Sequence, residues 1–382
     1  MLIKRLQVFV AMCAFLGMFS GSVAWGQKKK KAKPPQYQFE QIKIPAATAD
    51  EPVRSKFSLK HALDYIDNGA IAWSKGRKCV TCHTNAIYMV SRPALTAKLG
   101  KPPADMRTFF VDQLNKKKAT DRKKLRSGET PTQVAYIVGG LAEWDAHVTK
   151  KLSPETDEGL KLMFELQSKD GSFANTTCWP PFESSSYHGA TVGAMAAATA
   201  PGWLESQKDK NLVTKIETLK NYLKTTKPPH DYGRLLLLWT STRMPGLVGE
   251  KQKTDLVEMV FKHQRKDGGW SIRTFSTPEK WGSGGRAKKL RAEPEFENPP
   301  SDGHQTGLAV LVLRDSGVPA SDPRIQRAVK WLLTNQRESG RWWTRSLNTN
   351  SYHFITFSGT CYPLLALSKC DALPALAKTA AK

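Results

Sequence analysis

Cysteine is scarce in this chain, and acid is outnumbered. Six cysteines in 382 residues cannot build a disulfide scaffold. Against 58 Lys and Arg stand 34 Asp and Glu, a formal charge of +24. Beyond the leader, no apolar run reaches the ~20 residues that a membrane-crossing helix requires. These absences exclude a disulfide-stapled small fold and a polytopic membrane protein. With 40% hydrophobic residues, the chain nonetheless has enough apolar material for a large core.

Residues 1–24 have the pattern of a secretory signal. Lys4 and Arg5 form its charged end, Leu6 to Phe19 its apolar stretch, and Ser22-Val23-Ala24 a small-x-small cleavage site. More apolar residues follow Cys13, which argues against a lipoprotein anchor. The expectation is a periplasmic or secreted protein with no transmembrane segment after cleavage. In that setting the positive charge points to a redox partner protein or an anionic ligand and not to nucleic acid. Residues 25–54, with Lys28 to Pro35 running KKKKAKPP, are expected to form a basic disordered tether. Residues 373–382 are expected to form a short tail.

Cys79-Val80-Thr81-Cys82-His83 is the motif with the most chemistry. C-x-x-C-H is the attachment signature of haem c: two thiols add to the vinyl groups and the following histidine takes the proximal iron position. A plain disulfide and a zinc site short of its fourth ligand are the alternatives. If haem takes two cysteines, Cys178, Cys361 and Cys370 remain, enough for one disulfide at most.

The rest of the chain is repetitive. Gln167…Gly171…Phe173, Gln264…Gly268…Trp270 and Gln336…Gly340…Trp342 share the form Q-x-x-x-G-x-(W/F), each closing an amphipathic helix. In these motifs the chain resembles the prenyltransferase and squalene-oxidase repeat family, which includes squalene–hopene cyclases and protein prenyltransferase β subunits. The resemblance covers residues 55–372. It implies an all-α fold, a single α/α toroid of six helical hairpins. Outer helices are expected near 58–74, 105–119, 154–167, 210–225, 252–264 and 323–336. Inner helices are expected near 83–97, 131–148, 187–200, 231–243, 303–316 and 354–369. The haem motif at 79–83 then opens the first inner helix.

Histidines recur where inner helices begin: His83, His188, His230, His304 and His353. In a toroid those starts surround one mouth of the cavity. His353 is the first choice for a distal haem ligand because the sixth hairpin closes the ring beside the first. His304 is the second, and an open position holding water is the alternative. Met89 shares a helix with His83 and is poorly placed to reach the opposite haem face. Asp302, His304 and His353 also echo the zinc ligands of protein prenyltransferases, with histidine where that family has cysteine; zinc is the lesser expectation.

The Asp-x-Asp-Asp-Thr segment of cyclases that protonate an alkene is missing. Glu143 and Asp145 form the nearest acidic cluster, expected as a solvated helix end. The connections 174–186 and 271–301 exceed ordinary turns, which is typical of lids, binding loops or disordered insertions. Together these readings favour a haem-based redox or electron-transfer role, acting on a molecule held in the cavity. A non-redox lyase or transferase of the toroid class, and an isoprenoid- or anionic-glycan-binding protein, are the alternatives.

Overall fold

The computed structural model describes residues 34–175 and 179–374; the expected signal, Cys13 and Cys178 lie outside them. The chain is an α/α toroid. Among the described residues, six helical hairpins follow one another: α1 (Leu59–Arg77) with α2 (Asn85–Ser91), α3 (Ala104–Lys118) with α4 (Thr130–Trp144), α5 (Pro154–Glu165) with α6 (Ser186–Thr199), α7 (Lys210–Thr225) with α8 (Asp231–Ser241), α9 (Glu250–Lys262) with α10 (Gly303–Asp315), and α11 (Pro323–Thr334) with α12 (Ile355–Lys369). Even-numbered helices form the inner ring. Each touches the next, and α12 returns to α2, so the ring is closed.

Local chemistry sets these helices. Ser58, Ser153, Asp209 and Asp322 cap α1, α5, α7 and α11 by accepting backbone N–H groups. Outer helices bury one stripe, as α11 does with Ile325, Ala328, Val329, Trp331 and Leu332. Inner helices bury nearly their whole circumference: every residue from Gly303 to Leu313 of α10 is buried. The first inner helix is shorter than expected. It stops at Ser91 and continues as a 3-10 turn, Pro93–Leu95, where proline supplies no N–H to the helical ladder.

The three Q-x-x-x-G motifs make the same joint. Gln167 Nε2 donates to Gly171 O and to Lys215 O of α7, at 3.1 Å each. Gln264 Nε2 donates to Gly268 O and to Arg324 O of α11, at 2.8 Å each. Gln336 Nε2 donates to Gly340 O (2.8 Å) and to Ser58 O (3.0 Å), and its Oε1 accepts from Ser58 N (2.7 Å). Each glutamine thus ties the end of one outer helix to the next, and the last ties α11 back to the start of α1. Trp270 and Trp342 add an indole N–H to Val260 O and Leu332 O, at 2.7 and 2.8 Å. Gly340 has φ +91, and a Cβ there would meet the His61 backbone at 2.2 Å. Gly171 and Gly268 face the same constraint against Thr218 and Arg327.

Residues 34–54 correct one expectation. They are not a disordered tether but an ordered latch across the ring closure. β1 (Tyr37–Phe39) pairs antiparallel with β2 (Ile42–Ile44), and Tyr37 is buried against Tyr65, Trp73, Phe354 and Phe357. Arg54 N donates to Gln336 O (2.8 Å), and Glu51 pairs with buried Arg341 (2.8 Å). The alternation Tyr37, Phe39, Ile42, Ile44 was masked by the lysine run before it.

Candidate functional site

Two features meet at one end of the ring: the cysteine turn and the mouth of the central cavity. Residues 78–84 form the turn between α1 and α2. Asn85 organises it, with Oδ1 accepting from Thr81 N (2.9 Å) and Nδ2 donating to Cys79 O and Ser74 Oγ, both at 3.0 Å. Gln133 Nε2 of α4 donates to Val80 O (2.7 Å). The turn is therefore held from two helices.

Cys79 is exposed, Cys82 half-buried, and both thiols are free. Burial, then the Glu183 carboxylate, push the Cys82 thiol well above its usual pKa, so it is a thiol and not a thiolate. The His83 ring stacks on Phe354 (centroids 4.5 Å apart) and meets Trp73 edge-on (4.9 Å). Its Nδ1 is hydrogen-bonded to Thr84 Oγ1 (2.8 Å). Burial lowers its pKa to about 3, keeping it neutral. Two free thiols and a neutral imidazole with Nδ1 engaged match the donor set of a covalent haem.

The other histidines do not pack on His83; His188 lines the cavity, and His230 and His304 pack on its Tyr232. Tyr136 Oη donates to Phe182 O (3.2 Å), so its 3.1 Å contact with His188 takes the imidazole Nε2–H as donor. Ser358 Oγ donates to Ile355 O (2.8 Å), which makes His304 Nδ1–H the donor to Ser358 (2.7 Å). His304 Nε2 then accepts from Tyr232 Oη (3.1 Å). His230 caps α8, Nδ1 accepting from Gly233 N (3.0 Å), with Trp281 against its ring. Burial lowers His188 and His304 to about 3 and His230 to about 4.

His304 is thus corrected as a distal ligand, since both its nitrogens are engaged in the core. His353 Nδ1 accepts from Ser346 N (2.9 Å) and its ring packs on Trp343 (4.7 Å). The sixth hairpin does lie beside the first, but the residue against His83 is Phe354. The zinc set is corrected too. Asp302 spends its carboxylate on Gln305 N (2.9 Å) and Ile272 N (2.7 Å), and among the described residues no three His, Cys, Asp or Glu side chains gather around a metal position.

The cavity is narrow, with about 60 Å³ open to the centre of a water-sized molecule, and is walled by Tyr136, Tyr232, Leu236, Trp239 and Tyr362 among others. Phe182 and Trp281, from the two long connections, are buried over its mouth: Phe182 meets His304 at 5.7 Å and Trp281 meets Tyr232 at 5.5 Å. Both connections are therefore covers. At the opposite end Glu143 pairs with Arg243, which also donates to Thr199 Oγ1 (2.6 Å), while His147 lies 3.2 Å from the second Glu143 oxygen. Burial raises the Glu143 pKa, yet Arg243 and His147 leave it lowered overall. Asp145 accepts from Ser153 N and Oγ, both at 2.7 Å. Neither carboxylate is solvated, contrary to expectation; the apolar turn before them gave no hint that Arg243 would arrive from 100 residues away. Glu143→Ala strands the half-buried Arg243 guanidinium. It is expected to cost about 3–5 kcal/mol in urea unfolding, whereas Glu158→Ala, an exposed pair with Lys118, should cost under about 1 kcal/mol.

The fold defines the class as an all-α, α/α-toroidal protein. No protein-family model matches the sequence, and no curated protein matches it. Among solved structures, a chain described as a wild-type glycosidase is similar at 12% identity and a TM-score of 0.44, over 82% of this chain and 86% of that one. A likeness that slight says nothing about activity. No helix among the described residues is long and apolar enough to cross a membrane.

Proposed function

We propose that this chain is an exported c-type haem protein on a toroid of the prenyltransferase and squalene-oxidase repeat type. Cys79 and Cys82 carry the thioether links, and His83 Nε2 is the proximal ligand. The haem supplies one-electron chemistry when bound. The carrying observation is the cysteine turn itself: two unpaired thiols and a neutral His83 whose Nδ1 is held by Thr84, leaving Nε2 for iron. The repeat kinship is supported by the three identical glutamine joints. Export is supported by the pattern of residues 1–24. The protein's own residues orient the ligand: Phe354 and Trp73 fix the imidazole plane, and Asn85 and Gln133 fix the turn. The cavity wall is mainly apolar, with Tyr136 and Tyr232 among its polar groups, which suits a small apolar group.

The test is haem staining after denaturing electrophoresis. Protein matured where haem attachment is active should stain, and Cys79→Ser/Cys82→Ser should not. The ferric spectrum then decides the sixth position. His304→Ala should leave it unchanged; a shift from low to high spin in His353→Ala assigns that residue, and a wild-type spectrum that is already high-spin assigns water. A second reading, a non-redox toroid enzyme or binder, rests on the covered apolar cavity and its Tyr–His pairs. An unstained protein that still binds an apolar dye in the cavity would favour it.

A further inference from the structure

The 271–301 cover does more than close the mouth. It brings a group of cations against the loop that precedes α12. Arg286 Nε and Lys289 Nζ both point at the same acceptor, Asn348 O, at 3.1 and 3.3 Å. Arg273 donates to Arg345 O (3.1 Å) and Ser346 O (3.4 Å) of that loop. Arg345 itself extends from it. Arg273 is matched by Glu293 (2.7 Å), and Arg345 reaches Glu295 only at 3.5 Å. Arg286 and Lys289 make no ion pair with a carboxylate among the described residues. Four half-buried or buried cations thus face two contacting carboxylates.

Such crowding is costly. One carbonyl can accept from both but brings no charge to set against two cations, and like charges side by side repel. Lys289 shows the effect: burial first, then Arg286, Arg273 and Arg345, lower its pKa, against the pull of Glu293. The unspent donors are the two terminal nitrogens of Arg286 and the remaining protons of Lys289. A planar guanidinium beside an ammonium suits an oxyanion, taken bidentately by the arginine and as a point charge by the lysine. Trp179, exposed and lying 5.9 Å beneath the Arg286 guanidinium, holds that guanidinium in place. The Trp179 and Glu183 backbones pair with each other, and Glu183 is the carboxylate beside Cys82. The cations therefore stand on the same rim as the cysteine turn, across the 179–183 segment.

We infer that Arg286 and Lys289, backed by Arg345, form a receiving site for a dianion at the mouth of the toroid. The two uncompensated charges set the valence, and the shared chemistry is a pair of carboxylates or a phosphate. Two sources carry it. One is the propionate pair of a haem attached at Cys79 and Cys82, an assignment that rests on the haem reading. The other is a soluble phosphorylated or dicarboxylate ligand, which does not.

Full-length matured protein and its Arg286→Gln/Lys289→Gln variant separate these sources. Inorganic pyrophosphate is the probe, titrated by calorimetry, and the haem midpoint potential is measured in parallel. Circular dichroism checks that the variant folds, with Arg291→Gln, a surface arginine of the same connection paired with Glu279, as control. Pyrophosphate binding that weakens at least tenfold in the double variant, with an unchanged potential, assigns the site to a soluble dianion. No pyrophosphate binding, with a potential that falls in the double variant and not in the control, assigns it to the propionates. If neither binding nor potential responds, the site does not exist. An unstained protein that binds pyrophosphate through these residues keeps the site and discards the haem; an unstained protein that binds none discards both.

Discussion

Lowering the pH from 7 to about 5 is expected to cost about 4–5 kcal/mol of the protein's stability. His188, His230 and His304 are 5%, 7% and 0% exposed, and burial lowers them from 6.5 to about 3, about 4 and about 3. Their folded pKa values lie below the unfolded one. The unfolded chain therefore takes up protons that the folded chain refuses, and the stability present above pH 6.5 is lost as the pH falls. Each imidazole costs about 1.4 kcal/mol per pH unit in that window, so three cost about 4. Asp302 works in the opposite sense. Burial raises it to about 6, so it returns about 1.4 kcal/mol per unit between pH 6 and its unfolded value. The net slope, about 3 kcal/mol per unit, is large against a total of about 5–15 kcal/mol. Urea midpoints measured from pH 7 to 4.5 should fall steeply, and less steeply in His230→Gln. A flat profile would mean that these rings are solvated.

Gly340→Ala is expected to open the ring. Two costs add: positive φ for a residue with a Cβ, about 1–3 kcal/mol, and the clash with the His61 backbone at 2.2 Å, about 1–3 kcal/mol or more. Gly317 separates them, because it has the same kind of φ (+97) with nothing within 4 Å of its Cβ position. Gly317→Ala should pay the first cost alone. Equal shifts in denaturant midpoint for the two variants would show that the α1–α11 joint is loose.

Much of this architecture is legible from the sequence because it is local and repeated. Glutamine, glycine and aromatic recur at fixed spacing, since three outer helices, α5, α9 and α11, are tied to their neighbours in the same way. Helix starts are legible for the same reason, as at Ser58 and Asp322, where a side-chain oxygen caps the first turn. The site was legible only as a motif. That His83 would lie against Phe354, and not the adjacent His353, depends on a one-residue rotation at the entry to α12, where His353 takes φ +51. That Glu143 meets Arg243 depends on how inner helices two steps apart around the ring approach across the cavity. Such contacts join segments far apart in sequence, and no periodicity announces them. The covers were visible as long connections, but their buried tips, Phe182 and Trp281, were not distinguishable from ordinary loop aromatics.

The central claim is that Cys79 and Cys82 are bonded to haem through their sulfurs. Mass spectrometry of the proteolytic peptide containing residues 79–83, from protein purified out of a host that attaches haem c, tests it most directly. The account predicts a peptide heavier by one haem, with neither sulfur open to alkylation and His83 unmodified. A peptide recovered with two alkylated thiols, or with Cys79 and Cys82 joined to each other, would contradict it.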